Sequence, residues 1–329
     1  MKRMQLCCPV FALMLVAAGC GKKGPSLHKA AATGDILQVR SLIAQGAHIN
    51  AIEGRHTPLH LAARHGHGEV AKMLIEKGAD VRARGPFGQT ALHLAAGYGH
   101  RDAAELLIAA GAEVNTKSTE RNETPLHGAA RCGNKGTVEL LIAHGAEVNA
   151  SDEDGSTPLH HALECAGVHL PGHELEASPR DVVELLLNNG AEVNARNKSS
   201  TRALHGAASH GYTPTAGFLI AQGAEVNARD AQGRTPLHLA AGSWKKAARA
   251  ETIRLLLEKG AEVNAVTSSG RTALHYAAEE SDIDAAGLLI AKGGRIDAKD
   301  NEGKTPLDLA QAKGRKDIID LLLKHNGTQ

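Results

Sequence analysis

The tetrapeptide Leu-His-x-Ala returns at Leu59, Leu92, Leu126, Leu159, Leu204, Leu237 and Leu274. Leu27-His28-Lys29-Ala30 and Leu307-Asp308-Leu309-Ala310 are variants at the two ends. Successive leucines in the series lie 32, 33, 34, 33, 45, 33, 37 and 33 residues apart. A period of this length marks a stack of small units, none of which can bury its apolar face alone. It argues against one large globular core, and the composition agrees. Aromatic residues make up 2% of the chain although 42% is hydrophobic, so Ala, Leu, Ile and Val supply a thin core spread along the chain. That much apolar surface excludes a disordered chain.

Two further strings keep the period. One is Gly145-Ala146-Glu147-Val148-Asn149-Ala150 and its counterparts; the other is Leu106-Leu107-Ile108, Leu185-Leu186-Leu187 or Leu255-Leu256-Leu257. Thr57-Pro58, Thr124-Pro125 and Thr235-Pro236 precede the repeat leucine. Together these strings resemble the ankyrin repeat. The resemblance implies an all-α repeat solenoid of about nine units over residues 27–326, each a helix, a turn, a second helix and a hairpin-like loop. The residues suit that fold. Thr235 can cap a first helix and Pro236 sits in its first turn, where a missing N–H costs little. Ala240 and Ala241 let neighbouring helices approach closely. Gly66 or Gly99 can end a first helix in a left-handed conformation. Polar Lys29 and Gln38 at one end, and Asp308, Lys313, Lys316 and Lys324 at the other, suit capping repeats. Residues 327–329 are a tail.

The first residues carry a different signal. A short basic start is followed by Leu6 to Ala18 without a charge. That stretch is shorter than the roughly 20 apolar residues of a membrane span and fits the apolar region of a secretory signal. Ala17-Ala18-Gly19-Cys20 resembles a bacterial lipobox, although Ala17 stands where Leu is usual. The resemblance implies a signal peptide over 1–19, lipidation of Cys20 and a short tether over 20–26. It places the protein in the bacterial cell envelope, held by a lipid anchor. The residue after Cys20 is Gly21 and not Asp, which points to the outer membrane, facing the periplasm.

The chain contains 19 histidines. Eight follow the repeat leucine: His28, His60, His93, His127, His160, His205, His238 and His275. An imidazole has two nitrogens and can bridge backbone groups of adjacent loops, so these are expected to be structural. Departures from the period are where individual function is expected. Repeat five carries an insertion at about 164–178 and repeat seven a smaller one at about 243–246. The first offers His161, Cys165, His169 and His173 at spacings of four. On one helix they would share a face and could hold Zn²⁺, but Gly167, Pro171 and Gly172 oppose that helix. No metal site is expected; a metal or redox role for these residues with Cys132 is the alternative. Cys132 and Cys165 occupy one column of the stack, and regular stacking at about 8–10 Å opposes a disulfide between them.

Lysine and arginine number 37 against 36 acidic residues, a balance that removes the case for general nucleic-acid binding. No phosphate loop, nucleophile elbow or metalloprotease spacing occurs, so neither catalysis nor a cofactor is expected. The ankyrin resemblance implies a protein partner, gripped by loop tips and the ends of the first helices. Mapped by offset, that surface includes Arg64, His65, Phe87, Tyr98, Arg131, Glu164 and His210, with Trp244 added by the second insertion. Phe218 and Tyr276 are expected in the core. The expected function is a monomeric, non-enzymatic interaction scaffold tethered to a membrane. A secreted effector that binds host proteins is a further alternative.

Overall fold

Each repeat leucine opens a short helix because a capping residue stands just before it. In the computed structural model, which describes residues 26–164, 178–243 and 245–326, Thr57, Thr90, Thr124, Thr235 and Thr272 are extended N-caps. The first helices are α1 (Leu27–Thr33), α3 (Pro58–Arg64), α5 (Ala91–Gly97), α7 (Pro125–Arg131), α9 (Pro158–Glu164), α11 (Ala203–Ser209), α13 (Pro236–Ala241), α15 (Ala273–Glu280) and α17 (Pro306–Ala312). The second helices are α2 (Ile36–Ala44), α4 (Gly68–Glu76), α6 (Arg101–Ala109), α8 (Lys135–Ala143), α10 (Pro179–Asn188), α12 (Thr213–Ala221), α14 (Lys246–Glu258), α16 (Ile283–Ala291) and α18 (Lys316–Asn326). The described residues hold these 18 helices and no strand, as a helical repeat solenoid requires.

The chain divides into two blocks, residues 1–153 with 164–185, and 154–163 with 186–329. Within each block first helices pack on first helices and second helices on second helices, as in α1–α3–α5–α7 and α11–α13–α15–α17. The core is a column of leucine and alanine. Leu92, Ala95, Ala96, Ala104 and Leu107 are all fully buried in repeat three. At about 1.5–3 kcal/mol for each fully buried leucine, every repeat gains its stability from the neighbour that covers it.

The histidines after the repeat leucine form a polar column within each block. In repeat two the His60 Nδ1 accepts the backbone N–H of Thr57 at 3.2 Å and lies 2.7 Å from its hydroxyl. His60 Nε2 then donates to the Gln89 carbonyl of the next loop at 3.2 Å. His93 reaches Glu123 O at 3.0 Å, His160 reaches Thr201 O at 3.0 Å, and His238 reaches Ala265 O at 2.9 Å. Each ring ties its own helix cap to the following repeat. Asp308 takes over the capping half of this role in repeat nine, accepting the Thr305 N–H at 2.7 Å.

Two more polar columns were not read from the sequence. His67 and His100 donate back to Ala32 O and Arg64 O, each at 3.0 Å. Asn134 follows them and donates to Ala96 O at 2.8 Å. The ring of His100 lies so close to Gly66, at φ 72°, that a Cβ there would come within 2.5 Å of it; this turn requires glycine twice over. The second column is an asparagine ladder. Asn115 donates to Gly145 O at 2.9 Å and accepts the Glu147 N–H at 2.9 Å. Asn50, Asn194, Asn227 and Asn264 repeat the donation to a loop-starting glycine.

The smaller insertion adds helix, not loop. Second helices such as α6 and α8 have 9 residues, whereas α14 has 13. The added turn carries Arg249 into the interior, where it is 0% exposed. Its Nε donates to the Ser243 carbonyl at 3.0 Å, as does Nη2, and its Nη1 donates to Asp282 Oδ2 at 3.1 Å.

Candidate functional site

The C-terminal ends of the first helices and the loop before each form a continuous face in each block. In the first block this face holds a groove between α5 and α7. Its floor is open because of two missing side chains. Gly128 stands where Leu61, Leu94 and Leu239 stand in their repeats, and Gly97 stands where Arg64 and Arg131 stand. A Cβ on Gly128 would lie 3.5 Å from Gly97 Cα, so the two helix backbones approach closely here. Leu94, Tyr98 and Cys132 add apolar walls, and Glu123 with Arg131 closes one side.

That ion pair corrects one expectation. Arg131 is 9% exposed and Glu123 6%, so Arg131 does not reach out to a partner. Its Nη2 is bonded to Glu123 Oε1, and Arg121 Nη1 stands 3.8 Å from the same oxygen. The charge of the groove is therefore largely neutralised from within.

Arg64, His65 and Tyr98 come together at the neighbouring site. Arg64 ends α3, and its guanidinium carbon lies 5.3 Å from the centre of the Tyr98 ring, a cation–π distance. Tyr98 also stacks on His100 at 6.5 Å with a 7° interplanar angle. His65 is exposed and stacks on His67 at 6.2 Å. Burial lowers the pKa of His65 below its ordinary value, and the positive Arg64 lowers it further. His56, in the loop before α3, is lowered in the same way, by burial first and then, against the raising hydrogen bond that its ring donates to the Gly54 carbonyl, by Arg64.

The remaining expected residues are dispersed. Phe87 is half-buried at a tight turn with φ 58°, and its carbonyl accepts the Thr119 N–H at 2.9 Å. Glu164 is exposed at the end of α9. His210 belongs to the second block, where it stacks on Tyr212 at 5.5 Å and binds Gly206 O through Nδ1 at 3.0 Å. Cys20, Trp244, Cys165, His169 and His173 lie outside the described residues, and with them the lipidation site and the pairing of Cys132. His161 is buried in α9 at 3% exposure. Cys132 is half-buried in the groove wall.

A second groove lies in the second block, lined by His210, Arg234, His238 and Tyr276. It corrects the placement of Tyr276 in the core: the ring is half-buried and meets His238 edge-on at 5.9 Å. Phe218 is likewise half-buried. The signal for Tyr276 was present in the sequence, because Gly242 opens the space in front of it, 3.5 Å from a Cβ built there.

A family model described as ankyrin repeats, in three copies, matches residues 27–118, 116–197, 175–267 and 244–329. Among known proteins, the chain is similar to the probable E3 ubiquitin-protein ligase XBOS32 of Oryza sativa subsp. japonica. The two are 38% identical over 76 residues, which is 22% of this chain and 15% of that protein. The E3 ubiquitin-protein ligase XBAT33 of Arabidopsis thaliana is 40% identical over 76 residues, again 15% of its length. The chain thus spans a small part of these relatives, within the repeats.

Proposed function

The chain belongs to the ankyrin-repeat family, and from that premise we propose that it is a non-enzymatic scaffold, tethered to a membrane of the bacterial envelope, that binds a protein partner through the first-helix face. Repeats of this family indicate protein interaction. The observation that carries the reading is the Arg64–Tyr98 pair beside a groove floored by two glycines. Tyrosine and arginine are the residue types that most often anchor interfaces, and an open floor admits a partner side chain. The ligase activity of the relatives is not carried over, because the likeness covers 15% of their length.

Crosslinking in the native cell, followed by identification of the captured protein, tests this. The combined Phe87→Ala, Tyr98→Ala and Trp244→Ala variant is expected to lose about tenfold or more of the crosslinked product, as removal of interface anchors does. An unchanged yield sinks the assignment of this face.

The tether rests on the lipobox resemblance of Ala17-Ala18-Gly19-Cys20. Among the described residues no helix is long and apolar enough to cross a membrane. A lipid at Cys20 would confine the search for a partner to the membrane surface and raise the effective concentration there. Mass spectrometry of the native protein is expected to show an N-terminal lipidated Cys20. A mature terminus at Cys20 without acyl mass overturns the tether and leaves the binding reading intact.

A further inference from the structure

The repeats supply their own comparison for the patch around Arg64. Two positions meet in repeats four and eight, one three residues before the repeat leucine and one five residues after it. In repeat four they are Glu123 and Arg131, and they form a buried ion pair. In repeat eight they are Arg271 and Glu279, with the signs exchanged, 3.0 Å apart. In repeat two they are His56 and Arg64. Here both members are basic, and no carboxylate completes the pair.

The surroundings do not supply one. Arg64 Nε is buried and has no hydrogen-bond partner. Arg64 makes no ion pair among the described residues, and neither does His65. The groups that face this spot are His56 and Glu53 from the loop before α3, His28 from α1, His67 at the start of α4, and Tyr98 and His100 from repeat three. Glu53 is the one carboxylate in this set, and it stands 3.2 Å from His28 Nδ1. The patch is therefore a half-buried arginine over a tyrosine ring, with His56 and His65 close enough to feel its charge.

We propose that the His56–Arg64–His65 patch on the Tyr98 ring receives a carboxylate side chain from an acidic segment of the protein partner, which completes the ion pair that repeats four and eight build internally. The proposal rests on the reading of this face as partner-binding and names the chemistry of what binds. Aspartate or glutamate is preferred to a phosphorylated residue because the internal partners at these positions, Glu123 on Arg131 and Glu279 on Arg271, are carboxylates. Binding draws protons onto His56 and His65, since a carboxylate beside them offsets the lowering by burial and by the Arg64 charge and favours the charged imidazole. Affinity is therefore expected to rise as pH falls.

The test uses the full-length protein and a fluorescein-labelled (Glu-Gly)₅ peptide, followed by anisotropy at low salt. Binding is expected, with (Gln-Gly)₅ as the silent control, and it should tighten between about pH 7.5 and about pH 6, where the protein remains folded. Arg64→Gln should weaken binding by about tenfold, the usual worth of a charge-assisted bond. His56→Glu should weaken it as much while raising the melting temperature, because it installs the internal carboxylate and leaves Arg64 in place. That variant separates lost binding from lost folding. Equal binding by His56→Glu and the wild type, or tighter binding of a phosphoserine peptide than of the glutamate peptide, overturns the proposal. If the peptide fails to bind but the Phe87, Tyr98 and Trp244 substitutions abolish crosslinking in the cell, this inference falls alone. If the peptide binds and the cellular crosslinks survive those substitutions, the reading of the native interface falls instead.

Discussion

Lowering the pH from about 6.5 to about 4 is expected to remove most of the stability of the protein. The cause is the histidine column. Burial pushes His60, His93 and His238 from the ordinary 6.5 down to about 4, and it lowers His205 and His275 in the same direction. In the folded chain the rings stay neutral, because Nδ1 must accept the N–H of the N-cap residue, threonine for all but His205, where it is Arg202, while Nε2–H donates to the next loop. A second proton would break the first of these bonds. Between the two pKa values the unfolded chain binds more protons than the folded one, so stability rises with pH in this window and falls as the solution is acidified. Stability is fully present above about 6.5, and the loss is complete below about 4. At pH 5 each of the three strongly shifted rings costs about 2 kcal/mol, since one pKa unit is about 1.4 kcal/mol. Their combined loss of about 6 kcal/mol is comparable with the whole stability of a typical domain. Asp308 and Asp300, whose carboxyls lie below their ordinary value, add a loss of the same sign at still lower pH. Urea midpoints measured across this range should fall steeply. A midpoint unchanged between about pH 7.5 and pH 5 would show that the rings are not held neutral.

Arg249→Ala is expected to cost about 3–5 kcal/mol, the range for breaking a buried ion pair by removal of one partner. Arg249 is fully buried, and its guanidinium satisfies the Ser243 carbonyl, Asp282 at 3.1 Å and Glu280 at 3.7 Å. Asp282 would keep its capping bond to the Ala285 N–H at 3.0 Å but would face the vacated site as an unpaired carboxylate. The Ser243 carbonyl would lose its donors. Arg249→Met should restore part of the volume and none of the pairing, so it recovers a minor share. Because repeat stability is a sum of neighbour terms, the damage should concentrate in α13 to α16. Hydrogen exchange is the measurement that decides. Protection should fall in those helices and persist in α3 to α8, whereas a uniform loss would mean that the repeats unfold as one cooperative whole.

The outward half of the design was legible because it repeats. A leucine every 33 residues, with Thr-Pro before it, His after it and glycine at the helix ends, fixed the helices and their partners. The role of His60 followed from the same pattern: one ring in the same slot of nearly every repeat has to serve the repeat. Arg249 was hidden by a shift of register. Counting back from the buried leucines, it stands seven residues before Leu256, as His100 stands seven before Leu107. It thus holds the repeat position of His67, His100 and Asn134, and only the added turn of α14 brings it there.

The binding face divides in the same way. That Arg64, His65, Tyr98 and Arg131 lie on the first-helix face follows from their offsets, because a helix of fixed phase sends fixed positions to one side. Which of them remains available does not follow. Arg64 and Arg131 have the same offset, yet Glu123 buries one and no carboxylate meets the other. Periodicity sets the direction of a side chain, and a linear sequence holds that information. Charge satisfaction depends on which residues of neighbouring helices and loops come within about 3–4 Å. Only the packed structure decides that.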